Sequence, residues 1–130
     1  MTLRSRHWIP LLIVCALLSG APSCTNAPPT LSPAGTAAYQ ATRVVKALDV
    51  LRDAAIDANA QTPPLISTPN TRKVVNFHEA AVKTIGAAPG GWKPTVVAGL
   101  EQLQHDILPE EWSRLQPYIA LVKSLIEVTQ

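Results

Sequence analysis

The strongest periodic signal in the chain is an apolar stripe between about Pro33 and Ala60. Its members recur at steps of three and four residues, which is the spacing that keeps side chains on one face of a helix. The Ser32 hydroxyl and Pro33 are typical of a helix start, and Thr62-Pro63-Pro64 predicts the end. The stripe consists of Ala37, Ala41, Val44, Leu48, Leu51, Ala55 and Ala58.

Three shorter segments with helical spacing follow, and a proline marks the start of each. Thr68-Pro69 opens the second segment, which ends before Gly90-Gly91. Lys93-Pro94 opens the third segment. Pro109-Glu110-Glu111 opens the fourth, since acidic side chains stabilise the positive end of a helix dipole. The stripes are Val74, Val75, Phe77, Ala81, Val82 and Ile85; then Val96, Leu100, Leu103 and Ile107; then Trp112, Leu115, Ile119, Val122 and Ile126.

We therefore predict an all-α fold, a small bundle of about four helices that occupies residues 33–130. Apolar and polar residues alternate only over residues 64–68, which is too short and too proline-flanked for a strand. Pro117 departs from the proline pattern, because inside the fourth helix it removes a hydrogen bond. We expect a kink there, or a split near Gln116.

Residues 1–23 have the composition of a cleaved export signal. Arg4 and Arg6 supply a positive start, and residues 8–18 form a short apolar run that small residues follow. The run is about 11 residues long, well short of the roughly 20 that a membrane-spanning helix needs. We therefore expect export without a permanent transmembrane anchor.

The leader ends in Ala21-Pro22-Ser23-Cys24. Ala and Ser at the third and first places before Cys24 favour cleavage immediately before the cysteine. A leader that ends in small residues and a cysteine resembles bacterial lipoprotein precursors. The resemblance covers only about the first 24 residues, and Ala21 stands where Leu is commonest. It implies that Cys24 is diacylated and becomes the first mature residue.

Residues 24–32 form a polar, proline-containing spacer that would hold the bundle a short distance from a membrane. The resemblance implies an exported protein anchored to the bacterial envelope through lipid at Cys24. Thr25 stands beside the cysteine in place of Asp, which favours the outer membrane in bacteria that sort by this residue. Without acylation, we would expect a secreted or periplasmic protein with a free thiol.

Charge sets a further limit on function. Without Arg4 and Arg6, nine basic residues balance nine acidic ones. A neutral domain without a Lys and Arg cluster lacks the cationic contacts that a phosphate backbone requires. We therefore expect no nucleic-acid partner.

Asp49, Asp53 and Asp57 repeat every four residues on the first helix, away from its main stripe, where like charges repel. One interpretation is a surface for a cation or a basic partner, since hard metals take oxygen ligands. We favour a solvated face, because a straight helix presents too few oxygens at once. Trp92, in the connection before the third helix, is either a binding anchor or a cap on the bundle's end. We favour the cap.

Glu101 and His105 lie four residues apart on one helix face, a spacing that can hold a metal, and Asp106 is adjacent. His78 would add a ligand if the second and third helices packed closely. The simpler interpretation of His78 is a hydrogen-bonded histidine at the edge of the core. We expect no bound metal and no other cofactor.

The sequence lacks the motifs of a hydrolytic triad and of a phosphate-binding loop, so we expect no catalytic residues and no enzyme. The preferred hypothesis is a lipid-anchored helical module of the cell envelope that binds an envelope protein or serves a structural role. One alternative is a periplasmic bundle that binds a small ligand or a metal. Another is an assembly or lysis lipoprotein of the phage or mobile-element type. The Ala- and Val-rich helices also allow a homodimer through an exposed apolar stripe.

Overall fold

The computed structural model describes residues 31–88 and 90–128, and helices account for most of this part of the chain. The predicted all-α bundle of four helices is confirmed. The predicted signal peptide (1–23) and Cys24, the predicted lipidation site, lie outside the described residues. The helices are α1 (Pro33–Asn59), α2 (Thr68–Ala87), α3 (Lys93–Asp106) and α4 (Pro109–Val128).

The helices form a ring in which each packs against its neighbours along the chain, and α4 closes the ring against α1. Their directions alternate. At the end of α1, Asn59 Nδ2 donates to the hydroxyl of Thr68, the first residue of α2. Lys73 Nζ, early in α2, donates to the carbonyl of Asp106 at the end of α3. Glu111 at the start of α4 also contacts the start of α2. We call the end of the bundle where these three contacts lie the Glu111 end, and the opposite end the Ser32 end.

The core is built from the predicted stripes. Every residue of the α3 and α4 stripes is buried, and in α2 Val74, Ala81 and Ile85 are buried while Phe77 and Val82 pack partly buried at the rim. Each fully buried Leu or Ile stabilises the fold by about 1.5–3 kcal/mol relative to an exposed one. The first stripe shifts slightly, since Ala37 is exposed and Ala47 is buried in addition. The buried residues of α1 are Ala41, Val44, Ala47, Leu48, Leu51 and Ala55.

The helix starts follow the predicted proline signals, with one shift. Ser32 Oγ accepts a hydrogen bond from the backbone N–H of Gly35 at 3.1 Å, so the predicted N-cap of α1 is confirmed. The N-cap of α2 is Ser67, one residue before Thr68. The preceding loop is part of the core, because Ile66 is completely buried.

Pro117 does not split α4, which is continuous from Pro109 to Val128. Pro117 lies on the exposed face of the helix. The carbonyl that loses its N–H partner there can be satisfied by water. Leu115 and Ile119 on either side are buried, so their packing holds both halves of the helix in place. Within residues 31–88 and 90–128, no helix is long and apolar enough to cross a membrane.

Gly99 of α3 lies against the ring of Phe77 in α2. A Cβ added there would lie 2.8 Å from Cε2 of Phe77, too close for carbon atoms, whereas one added at Gly86 would meet nothing within 4 Å. Gly99→Ala should therefore lower the free energy of unfolding by about 1–2 kcal/mol, because the ring or the helix has to move.

Gly86→Ala is the matched control and should raise the free energy of unfolding by up to about 1 kcal/mol, since Ala favours the helix. Denaturant titration of both variants measures the difference. Stabilisation by both substitutions to the same extent would contradict the close contact at Gly99.

Candidate functional site

His78 of α2 lies against α1 and is 8% exposed. Its Nε2 is 2.7 Å from Oδ1 of Asp49. Because an ionised carboxylate only accepts hydrogen bonds, Nε2 carries the proton and donates it. The other ring nitrogen, Nδ1, is buried without a hydrogen-bond partner among the described residues. His78 is therefore a hydrogen-bonded histidine at the edge of the core, as in the simpler interpretation of the sequence.

The three aspartates of α1 have different surroundings. Asp49 contacts His78 and lies 3.6 Å from Arg52 Nη1. Asp53 Oδ1 is 2.7 Å from Arg52 Nη2, and this hydrogen bond, against desolvation, raises the pKa of the Arg52 guanidinium. Asp57 is exposed.

The expectation that the whole aspartate row faces away from the core needs correction at Asp49. Each four-residue step turns an ideal helix by about 40° beyond a full rotation. Asp49 and Asp57 are therefore about 80° apart around the helix axis. The first carboxylate consequently faces α2, while Asp53 is exposed beside Arg52.

The four metal candidates are not brought together. Glu101, His105 and Asp106 are exposed on α3, and Asp106 Oδ1 accepts a hydrogen bond from Gln102 at 3.0 Å. His78 instead faces Asp49 on α1. Among the residues that the structure describes, no three His, Cys, Asp or Glu side chains form a group that could hold a metal ion.

Trp92 is 3% exposed and belongs to the hydrophobic core. It is the N-cap residue of α3, and its carbonyl accepts a hydrogen bond from the backbone N–H of Val96 at 3.0 Å. The alternative interpretation of Trp92 as a binding anchor on an interaction surface needs correction, because its ring is packed inside the bundle, whereas the favoured interpretation as a cap is consistent with this burial. Burial of so large a ring removes the apolar area that an exposed anchor would offer.

Glu111 forms a polar centre that the sequence analysis does not single out. Its Oε2 accepts three hydrogen bonds: from the Ser67 backbone N–H at 3.1 Å, from the Ser67 hydroxyl at 3.1 Å and from Asn70 Nδ2 at 2.7 Å. The carboxylate thus binds the start of α2 from the first turn of α4. A signal was present, since Asn70 is a polar residue one turn before Val74 on a buried face, and such a residue requires a partner.

Burial acts to raise the pKa of the Glu111 carboxyl. The hydrogen bonds from Asn70 and Ser67, together with the nearby charge of Lys73, outweigh burial, so this pKa lies below its ordinary value. All of these contacts favour the ionised form. The carboxylate is also well placed electrostatically, since it lies at the positive ends of two helix dipoles.

Among the described residues, shallow grooves lie between neighbouring helices, in the middle of the bundle and towards its Ser32 end. The groove between α1 and α2 holds about 360 Å³. The α1/α4 groove holds about 240 Å³ and the α3/α4 groove about 210 Å³. The residues that line the α1/α2 groove are uncharged, whereas charged residues take part in lining the other two. The charged residues are Arg43 and Lys46 in the α1/α4 groove, and Glu101, Lys123 and Glu127 in the α3/α4 groove.

Comparison of the chain with protein-family models, with curated proteins and with solved structures finds no match in any of the three. Function is therefore inferred from the residues of this chain and their contacts. In the described part, the contacts of His78 and Glu111 join one helix to another.

Asp49→Ala should lower the free energy of unfolding by about 1 kcal/mol, because it removes the hydrogen-bond partner of the buried His78 ring. Asp57→Ala removes an equal charge from the exposed side of the same helix. This control should change the free energy of unfolding by less than about 0.5 kcal/mol. Thermal or denaturant unfolding of the two variants provides the comparison. Equal effects would show that the His78 contact contributes nothing.

Glu111→Gln should lower the free energy of unfolding by about 1 kcal/mol at neutral pH, because the charge-assisted hydrogen bonds to Ser67 and Asn70 weaken. Because the pKa of Glu111 is lowered by folding, its stabilising effect is complete above the ordinary value of 4.5 and is lost as the pH falls through the lower folded value.

Glu110→Gln is the matched control, since Glu110 is exposed in the same helical turn. Denaturant titrations from neutral to acidic pH should show the difference between Glu111→Gln and the wild-type protein shrinking below pH 4.5. A difference that stayed constant with pH, or that Glu110→Gln reproduced, would contradict this role of the Glu111 carboxylate.

Proposed function

We propose that the protein is a lipid-anchored helical module of the bacterial cell envelope that acts through interaction or structure and not through catalysis. The observation that carries the proposal is Cys24, which follows an export-type leader. An envelope protein is the partner class that this location provides. Assignment to the outer membrane rests on Thr25 beside the anchor.

The distance between Cys24 and the bundle supports a tether. Ser32 is the N-cap of α1 and lies eight residues after Cys24. Eight residues reach at most about 27 Å when fully extended. A lipid at Cys24 would therefore keep the Ser32 end of the bundle close to the bilayer.

The buried polar side chains support a structural use of the bundle. Asn70, Thr71 and His78 are buried in the described part of the chain. Asn70 donates to Glu111, and the Thr71 hydroxyl donates to the carbonyl of Ser67 at 3.1 Å. With His78 bound to Asp49, each of the three has a partner inside the bundle. These contacts join one helix to another or hold a helix start, and they stabilise the fold.

The test is the intact mass of the protein extracted from membranes of a bacterial expression host. Cleavage before Cys24 with the added mass of acyl chains is the expected result, and Cys24→Ala should abolish both the added mass and the membrane retention. Cys15→Ala is the matched control, because Cys15 lies in the leader and should be removed with it. Cleavage without added lipid, or an unchanged mass in Cys24→Ala, would overturn the proposal.

A further inference from the structure

An apolar patch lies on the outward side that α1 and α4 form together, which we call the α1/α4 face. Val50 of α1 is 46% exposed and Leu121 of α4 is 43% exposed. Both line the groove between these helices, together with Leu125. Val50 and Leu121 keep this exposure with all four described helices in place, so none of these helices covers the patch. A partner that removed it from water would gain free energy.

The charged residues beside the patch are ordered along α1. Lys46 precedes Val50 by four residues, whereas Asp53 and Asp57 follow it by three and seven. On an ideal helix, these four residues lie within about 60° of one another around the axis. Arg43, which also lines the groove, is on the Lys46 side of Val50. The face is therefore basic on one side of Val50 and acidic on the other.

These charges are available to a partner. Lys46, Asp53 and Asp57 are exposed. Within residues 31–88 and 90–128, neither Lys46 nor Asp57 has an ion pair. Asp53 is bound to Arg52 through Oδ1, and its second carboxylate oxygen can accept a further contact. A surface with both signs of charge around an apolar centre can complement itself.

We infer that a second copy of this chain docks on the α1/α4 face, with the two α1 helices antiparallel and Val50 of both copies at the two-fold axis. This rotation brings Lys46 of one copy level with Ala54 of the other. Lys46 then lies between Asp53 and Asp57 of the second copy, about 1.5 Å from the level of the first and about 4.5 Å from the level of the second. The symmetry makes each contact occur twice.

α4 fits the same symmetry. Leu121 shares the groove with Val50, so the rotation that brings Val50 against its copy also brings Leu121 towards its copy. Arg114 is an exposed charged residue seven positions before Leu121. Its two copies are about 20 Å apart along the pair, so salt screens their repulsion. The apolar residues therefore occupy the centre of the interface and the charged residues its margins.

The face is large enough for a specific interface. α4 has 20 residues, so it is about 30 Å long, and two helices side by side are about 20 Å wide. The face then measures about 600 Å² on each copy, and the pair covers about 1,200 Å², above the roughly 1,000 Å² that a specific interface needs.

The antiparallel arrangement defines how a pair would lie on a membrane. The two Ser32 ends are about 40 Å apart along α1. In an upright pair, one of them would be farther from the bilayer than the reach of its spacer, about 27 Å. Both anchors therefore enter one bilayer only when the pair lies along the membrane surface. This orientation rests on the proposed lipid anchor, whereas the docking of the two copies does not.

Sedimentation equilibrium of the full chain tests the docking. Cys15→Ala and Cys24→Ala remove acylation and native disulfides, and the leader is identical in every variant. We expect a reversible equilibrium between monomer and dimer. Val50→Glu should raise the dissociation constant at least tenfold, because two like charges meet at the axis. Ile56→Glu is the matched control and should stay within about twofold, since Ile56 is 44% exposed on the same helix but about 120° away around its axis.

Charge exchange tests the pairing of Lys46 with Asp57. Lys46→Glu or Asp57→Lys alone should weaken the dimer roughly tenfold or more, because each replaces two attractions by two repulsions. The two substitutions together should restore the dissociation constant to within about threefold of the parent, since opposite charges face each other again. A parallel pair, in which α1 of one copy faces α4 of the other, predicts no restoration and would overturn the inference.

Disulfide formation locates the axis. In the chain without Cys15 and Cys24, Val50→Cys should form a covalent dimer under mild oxidation, because a disulfide needs two Cα atoms within about 7 Å. Ile56→Cys should remain monomeric in denaturing electrophoresis. Equal crosslinking at positions 50 and 56 would overturn the inference.

A monomer at every concentration, or equal losses from Val50→Glu and Ile56→Glu, would overturn it as well. The lipid anchor fails separately, by the intact mass at Cys24, since the chain used for sedimentation lacks that cysteine. An acylated protein that stays monomeric would retain the anchor and lose the docking surface.

Discussion

The apolar face of α1 has to be removed from water, and a single helix cannot cover it. Six residues of this helix are buried over its length of 27 residues. α2 covers one side of the face and α4 covers the other, while α3 bridges between these two. The order of the chain and its short connections then require the directions to alternate. Nearly every other feature of the molecule follows from this arrangement around α1.

Two polar contacts add specificity to the apolar packing. Asp49 and His78 join α1 to α2, and Glu111 joins α4 to the start of α2. Apolar contacts alone tolerate small shifts along a helix, whereas a hydrogen bond at the core's edge is lost by a shift of a few ångströms. Both contacts involve α2, so they set its position against the two helices that it must match.

The sequence by itself determined the four helices, most of their ends and most of the core. These features depend on residues close together in the chain: the three- and four-residue spacing, the Ser32 cap and the prolines that open each helix. The export-type leader and Cys24 are local signals as well, and they lie outside the described residues. A split of the fourth helix at Pro117 does not occur, because the packing of Leu115 and Ile119 keeps α4 continuous.

Only the tertiary structure decided which partners the polar and aromatic residues have. Glu111 is typical of a helix start in the sequence, but its hydrogen bonds reach residues more than 40 positions away. Burial of Trp92 and the turn of Asp49 towards His78 likewise depend on where a second helix lies. Periodicity specifies a face for each helix, whereas contacts between distant segments depend on how those faces are brought together.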